Sequence, residues 1–527
     1  DESNIQFDPQ TKQVGTVNVD FAYRSTDLGA FLHDDFKLRP NTTLNLGVRW
    51  EVFTGPTERF DRLNNGVFQG GTRWQERIAD MKMEHVPQLW HTRVNNIAPR
   101  LGFAWDPTKR GKMSVRGGWG MFYDRPENQL YTGDRNNLPL VANANCDLRN
   151  NPPCAPAYGL GASGNSPYNF PAVTGLGLNS VFLDSQNGLF TCTAFASDGT
   201  CTTSARIFTS QVVTDPNLKI QYGINWSLGA QYEVWTNWLV EGDYIGSEGH
   251  HMYSSFNVNR FAGDTILNGG YTGYNHSFGG LFYGQSNYSS HYKGGTLSVH
   301  NRGFSHGVNF QAAYTYGRAI DQAQTFGPEP FDPLNLKAEY GPADFNVSRR
   351  LSFSTLWQVP RVSSGSGVVG ALLNGWQLSN ITILQKGTPF TVFCGGCDYN
   401  ADGTFGDRPD ISGSVAHSGF NKQQFLTGIL SKTLFTAPAG FAPGNVGRNT
   451  FVGPGYINTD LAFAKKTHIP WFVGQEGAQA EFRAEFFNAF NNVNLNSLDS
   501  DISSGGFGQA FGSFPARDIQ FGLRIEF

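Results

Sequence analysis

The sequence predicts an all-β fold, and within that class a transmembrane antiparallel β-barrel. Three observations predict it. The first is alternation in the last ten residues, where Ile519, Phe521, Leu523, Ile525 and Phe527 take every second place and Gln520, Gly522, Arg524 and Glu526 fill the gaps. A strand sends successive side chains to opposite faces, so one face is apolar and the other polar. The closing strand of an outer-membrane barrel has this pattern. The second is composition: charged residues are 16% of the 527, below the roughly 25% of soluble domains, while aromatics reach 14% and glycines number 63. The third is a regular succession of short and long connections, set out below.

Composition also excludes. Hydrophobic residues are only 39% and mean hydropathy is −0.35, and no run of about 18 apolar residues exists, so helical membrane spans are ruled out. A net charge of −4 offers no basic field, so no nucleic-acid partner is expected. Residues 1–4 read Asp-Glu-Ser-Asn, without the features of a signal peptide, which leaves secretion open.

Taken in order, the alternation recurs. Leu44, Leu46, Val48, Trp50 and Val52 oppose Asn45, Gly47, Arg49 and Glu51. Ile97, Pro99, Leu101, Phe103 and Trp105 oppose Arg100, Gly102 and Ala104. Val115, Trp119, Met121 and Tyr123 oppose Arg116, Gly118 and Gly120, and Ile224 to Val234 repeat the pattern against Asn225 to Glu233. Strands are predicted at 26–39, 41–54, 97–106, 112–124, 219–234, 237–248, 292–303, 306–318, 346–360, 374–388, 455–466, 479–490 and 517–527. Long joins cover 55–96, 125–218, 249–291, 319–345, 389–454 and 491–516, and every other join is short or moderate. Barrels have tight periplasmic turns and long extracellular loops, an asymmetry that a soluble sandwich has no reason to keep.

Parity sharpens the expectation. Thirteen strands that begin and end in the same sense break the even count of single-chain bacterial barrels. Either strands are missing upstream, the reading favoured here, or 14–23 supplies a fourteenth; 17–39 could also be one long projecting strand. The expected organisation is one barrel portion over 1–527, with a loop insert at 125–218 folded as a small cap and a loop at 389–454. The six cysteines fall as close pairs, Cys146 with Cys154, Cys192 with Cys201 and Cys394 with Cys397, which predicts loop-pinning disulfides whose connectivity sequence does not prove.

Several stretches carry a family resemblance. Residues 31–51, FLHDDFKLRPNTTLNLGVRWE, resemble a barrel hairpin of TonB-dependent outer-membrane receptors, particularly the Oar-like group. Residues 95–107 (NNIAPRLGFAWDP) and 115–124 (VRGGWGMFYD) look like the next hairpin, while 482–491 (FRAEFFNAFN) and 521–527 (FGLRIEF) are similar to its final strands. The resemblance implies a barrel of 22 strands, of which about 13–14 are present, an N-terminal plug, and a TonB box through which the TonB complex opens that plug. It implies an outer-membrane lipid environment, extracellular long loops and a periplasmic C-terminus. No plug or TonB box stands in these residues.

Candidate chemistry is sparse. Asp398, Asn400, Asp402, Thr404 and Asp407 in the 389–454 loop read as the opening half of a calcium loop, although Pro409 stands where the bidentate acid is due. An Asx-rich turn without metal is the competing reading. Arg49, Glu51, Arg100, Arg116, Glu233, Arg483, Glu485, Arg524 and Glu526 are predicted to face the lumen as a structural ladder or plug-docking wall. His85, His91, His250 and His251 are weak metal or haem candidates, because His250 and His251, adjacent on a strand, are expected to face opposite ways. No nucleophile elbow, zinc-protease motif or phosphate loop occurs, so no enzyme is expected. The expected function is TonB-dependent uptake of an unidentified ligand too large for porins. A surface adhesion or protein-secretion barrel is the alternative, and a soluble carbohydrate-binding or hydrolytic protein the third reading.

Overall fold

The computed structural model describes residues 3–8, 13–14, 20–139, 142–146, 181–183, 186, 188–197, 201–206, 209–267, 272–301, 307–322, 330–361, 368–469 and 478–526. Thirteen strands form one antiparallel ladder in chain order: β1 Asp27–Arg39, β2 Thr42–Phe53, β3 Arg93–Trp105, β4 Met113–Tyr123, β5 Tyr222–Trp235, β6 Trp238–Asn257, β7 Leu281–Asn301, β8 Val308–Asp321, β9 Arg349–Gln358, β10 Trp376–Gln385, β11 Tyr456–Ile469, β12 Ala478–Phe487 and β13 Asp518–Glu526. Each pairs with its neighbours in sequence, the meander that short turns between antiparallel strands produce. The chain is an all-β barrel wall.

Register settles the faces. Trp119 of β4 stands opposite Leu101 of β3 and Trp226 of β5, while Gly118 stands opposite Gly102 and Ser227. Apolar residues therefore align with apolar residues across the ladder, and a slip of one position would turn every one of them over. Leu46, Trp50, Ile97, Leu101, Leu228, Phe463 and Phe521 are exposed, so this face covers no protein core. Strands of about ten residues, tilted by about 40°, give an apolar band about 25 Å tall. On that face Trp226 lies over Gly246, where an added Cβ would come within 2.1 Å of the ring.

The buried apolar clusters lie where the long connections gather. Ile78, Met83, Val213, Phe278, Leu281 and Tyr283 form part of the largest. Leu63, Leu89, Trp90, Tyr131 and Leu218 make a second, and Val392, Phe435, Val446, Phe451 and Phe507 a third. A smaller one joins Phe425 to Leu495 and Ala510. The long connections are thus a folded layer with its own cores, seated on one end of the wall and met there by Phe256 of β6 and by Leu281 and Tyr283 of β7.

Two expectations are corrected. The predicted 249–291 loop is strand at both of its ends: β6 and β7 run on as a hairpin of 20 and 21 residues, past the band and into the loop layer, where Phe256 and Tyr283 are buried. Alternation stops near residue 248 because both faces change from lipid-like to protein surroundings. Nor does 14–23 add a barrel strand or extend β1 among the described residues. Gln13–Val14 pairs with Ser3–Asp8, and Tyr23–Arg24 pairs with Thr57–Glu58 in the loop layer.

The ladder has two ends. All thirteen residues of β1 and all nine of β13 are exposed. Both strands run from the long-connection end to the short-turn end.

Candidate functional site

The polar face begins from alternation and is assembled by register. Gly47 pairs with Arg100, Gly120 with Arg100 across the next join, and Arg116 with Gly229, so these positions share the face opposite the aromatic band. Arg49 Nε lies 2.8 Å from Glu51 Oε1, and the Arg100 guanidinium sits 4.4 Å from the Phe122 ring centroid. Arg116 Nε donates to Ser114 Oγ at 2.9 Å, and Glu233 Oε1 accepts from the Asn237 amide at 3.2 Å, at the turn into β6. Arg483 pairs with Glu481, Arg524 with Glu526, and Glu485 stands opposite Ala462 and Gln520. Glu481, which alternation alone did not single out, is the centre of this group: Lys466 lies 3.5 Å away and Arg524 is its cross-strand partner. The result is a polar wall of neighbouring opposite charges.

The acidic turn is built from its own main chain. The amides of Asp402 and Gly403 donate to the Asp398 carboxylate at 3.0 and 2.9 Å, and that of Thr404 donates to Asp402 Oδ1 at 2.9 Å. Asp407 Oδ2 accepts from the amides of Tyr399 and Asn400 at 2.7 and 3.1 Å. Arg260 pairs with the remaining Asp402 oxygen, both side chains fully buried. Burial pushes Asp407 up to about 6 and raises Asp398 as well. Among the described residues, no group of three His, Cys, Asp or Glu side chains is arranged to hold a metal ion. The arrangement is an Asx-turn knot, which short acids and amides form by bonding to amides two residues on.

Cys394 and Cys397 form a disulfide beside this knot. The side chains of Cys146, Cys154, Cys192 and Cys201 lie outside the described residues. His250 and His251 do not face opposite ways: β6 bulges between Gly249 and Met252, His251 takes φ 55°, and both rings meet Tyr222, at 5.0 and 5.6 Å. An extra residue in one strand re-aims the side chains around it, which simple alternation does not foresee. His85 Nε2 lies 3.0 Å from Asp61 Oδ1, and the His91 amide bonds to the Pro216 carbonyl.

Periodicity gave no sign of three buried ion pairs that join the loops. Besides Arg260 with Asp402, Arg408 makes two bonds to Glu339 at 2.7 and 2.8 Å. Arg448 pairs with Asp321, lies 3.4 Å from Asp344 and donates to the Glu339 carbonyl at 2.7 Å. A guanidinium satisfies several acceptors at once in a fixed fork, which suits it to pin separate loops. Each partner is distant in sequence, so only an excess of loop arginines could have hinted at them.

Between these loops lies a cavity of 310 Å³, lined by residues of the 258–280, 322–348 and 386–455 connections and by Gln75. A second, of 440 Å³, lies along β1 to β3 and includes His33, Arg49 and Arg100.

The ferripyoverdine receptor of the outer membrane of Pseudomonas aeruginosa is similar at 11% identity, over 95% of this chain and 39% of that one, with a TM-score of 0.41. The outer membrane transporter YddB from Escherichia coli is similar at 10% identity, over 95% and 54%, with a TM-score of 0.44. The FrpB iron transporter from Neisseria meningitidis is similar at 11%, over 96% and 46%, with a TM-score of 0.43. The chain therefore spans 39% to 54% of the length of these proteins. No curated protein matches it. The family described as an outer membrane beta barrel domain matches residues 7–520, and the chain belongs to that family.

Proposed function

We propose that the chain is the barrel portion of a TonB-dependent receptor that takes up a ligand too large for porins. The observation that carries this reading is the polarity of the two ends: short turns at one, and at the other a folded layer with cavities above a polar wall. In this reading the long connections, including 125–218 and 389–454, are extracellular and capture the ligand, and the C-terminus is periplasmic. The charged inner ladder faces a plug that the TonB complex displaces.

Strand direction supports a larger barrel. Joined directly, β1 and β13 would pair parallel, since both run away from the loop layer. An odd number of further strands restores antiparallel closure, and the 22 strands of plugged transporters require nine.

The test is accumulation of labelled ligands of about 1 kDa by cells producing the protein, with and without a proton-motive force. Uptake that needs both the protein and the force supports the reading. Unchanged uptake, with cells instead adhering to a surface or releasing a protein, would favour the adhesion or secretion alternative.

A further inference from the structure

We infer that the cavity between the three long connections is a binding site for a cationic group about the size of one ring, of the arylammonium or alkylammonium class. Aromatic side chains enter it from each connection: Phe261 and Tyr274 from 258–280, Phe331 from 322–348 and Phe441 from 386–455. Phe261 and Tyr274 lie with centroids 5.0 Å apart at 35°. Aromatic faces carry negative charge density and attract ammonium groups. At 310 Å³ the cavity sits at the lower end of ligand pockets, room for one ring and its substituent rather than for an extended molecule.

The charges around it have one sign left over. Among the lining residues Arg260 is the only cation, and its guanidinium is committed to Asp402 and to the carbonyls of Pro330 and Asn257. Asp332, exposed at the cavity, is the acid without an arginine among these lining residues; its Oδ1 accepts from the Leu334 amide at 2.8 Å. The net balance of the lining is one negative charge, with the amides of Asn335 and Asn400 as neutral partners. The Tyr274 hydroxyl reads the same field: burial first, then Asp332, Asp264 and Asp402, push it up to about 12. An anion entering here would meet that field and find the arginine already engaged. A cation would lie against the rings with its charge toward Asp332.

The site goes beyond the uptake reading and does not depend on it, because a cation would bind whether or not the barrel conducts it. The test uses the full chain folded in detergent micelles, titrated calorimetrically with benzyltrimethylammonium and, separately, with phenylacetate, an anion of similar size. Saturable one-site binding of the cation is expected, with phenylacetate at least tenfold weaker. Asp332→Asn and Phe441→Ala, both exposed positions that leave the cores intact, should each weaken the cation about tenfold, while Glu526→Gln on β13 should not. Equal binding of the two probes, no binding of either, or cation binding untouched by both cavity variants would overturn the inference. Any of these results beside intact energy-dependent uptake would remove this site and leave the receptor reading standing.

Discussion

Arg408 and Glu339 stand 69 residues apart in sequence and face each other through two hydrogen bonds of 2.7 and 2.8 Å, with both side chains less than a tenth exposed. The pair joins the connection before β9 to the one before β11. Glu339 also lends its carbonyl to Arg448, so one short segment anchors two arginines.

Breaking this pair on one side leaves a buried charge alone. Arg408→Met should therefore loosen the loop layer by about 3–5 kcal/mol, and adding Glu339→Leu should return most of that loss. Pulse proteolysis in denaturant, read at cleavage within 389–454, measures both. Equal losses in the single and double variants would mean that the pair is not what holds these loops together.

A pH dependence is expected from Asp134, which lies in the connection between β4 and β5. Burial pushes this carboxyl up to about 7, the Tyr23 hydroxyl donates to one of its oxygens, and the other has no partner. The folded value lies above the unfolded one of about 3.9. Asp134 thus contributes stability that is full below about pH 4 and lost as pH rises through about 7, on the order of a few kcal/mol. Unfolding of the loop layer, followed from pH 4 to 8, should show this slope in the parent chain and lose most of it in Asp134→Asn.

Adjacent residues of β5 separate the two faces. Ser227 and Leu228 are both exposed, and differ only in the side to which they point. Leu228→Arg should cost about 2–4 kcal/mol if it lies near the bilayer midplane, and Ser227→Arg close to nothing. Urea-dependent folding into lipid vesicles gives both values, and matching costs would deny that the faces meet different surroundings.

Gly246 offers a packing test on the outward face. With Trp226 lying over it, Gly246→Val should force the ring aside and cost about 1–3 kcal/mol. Trp226→Ala in the same chain should recover part of the loss, with Trp226 fluorescence following the displaced ring in the single variant.

The barrel wall was legible in the sequence because lipid on one side and a polar interior on the other impose a period of two. All thirteen strands, β1 to β13, lie near the positions that Leu44 to Val52, Ile224 to Val234 and their like mark out. Legibility ended where that contrast ends. Past Glu248 the hairpin of β6 and β7 continues with protein on both sides, and the bulge at His250 and His251 reverses the expected aim of a ring. The ion pairs of Arg260, Arg408 and Arg448 depend on loops meeting across long stretches of chain, a fact of tertiary structure that no local pattern encodes. The Asx-turn knot at Asp398 to Asp407 was visible as an acid-rich turn, but the partners of its carboxylates were not.

The central claim is that the apolar face of the ladder meets lipid. It is tested most directly by placing a fluorophore through single cysteines at Leu101, Leu228, Phe463 and Phe521, and at the inward Arg100, Ser227 and Arg483, in vesicles containing brominated lipid. The first four should be strongly quenched and the other three not. Equal quenching on both faces, or stronger quenching at the inward positions, would contradict a barrel wall that spans the membrane.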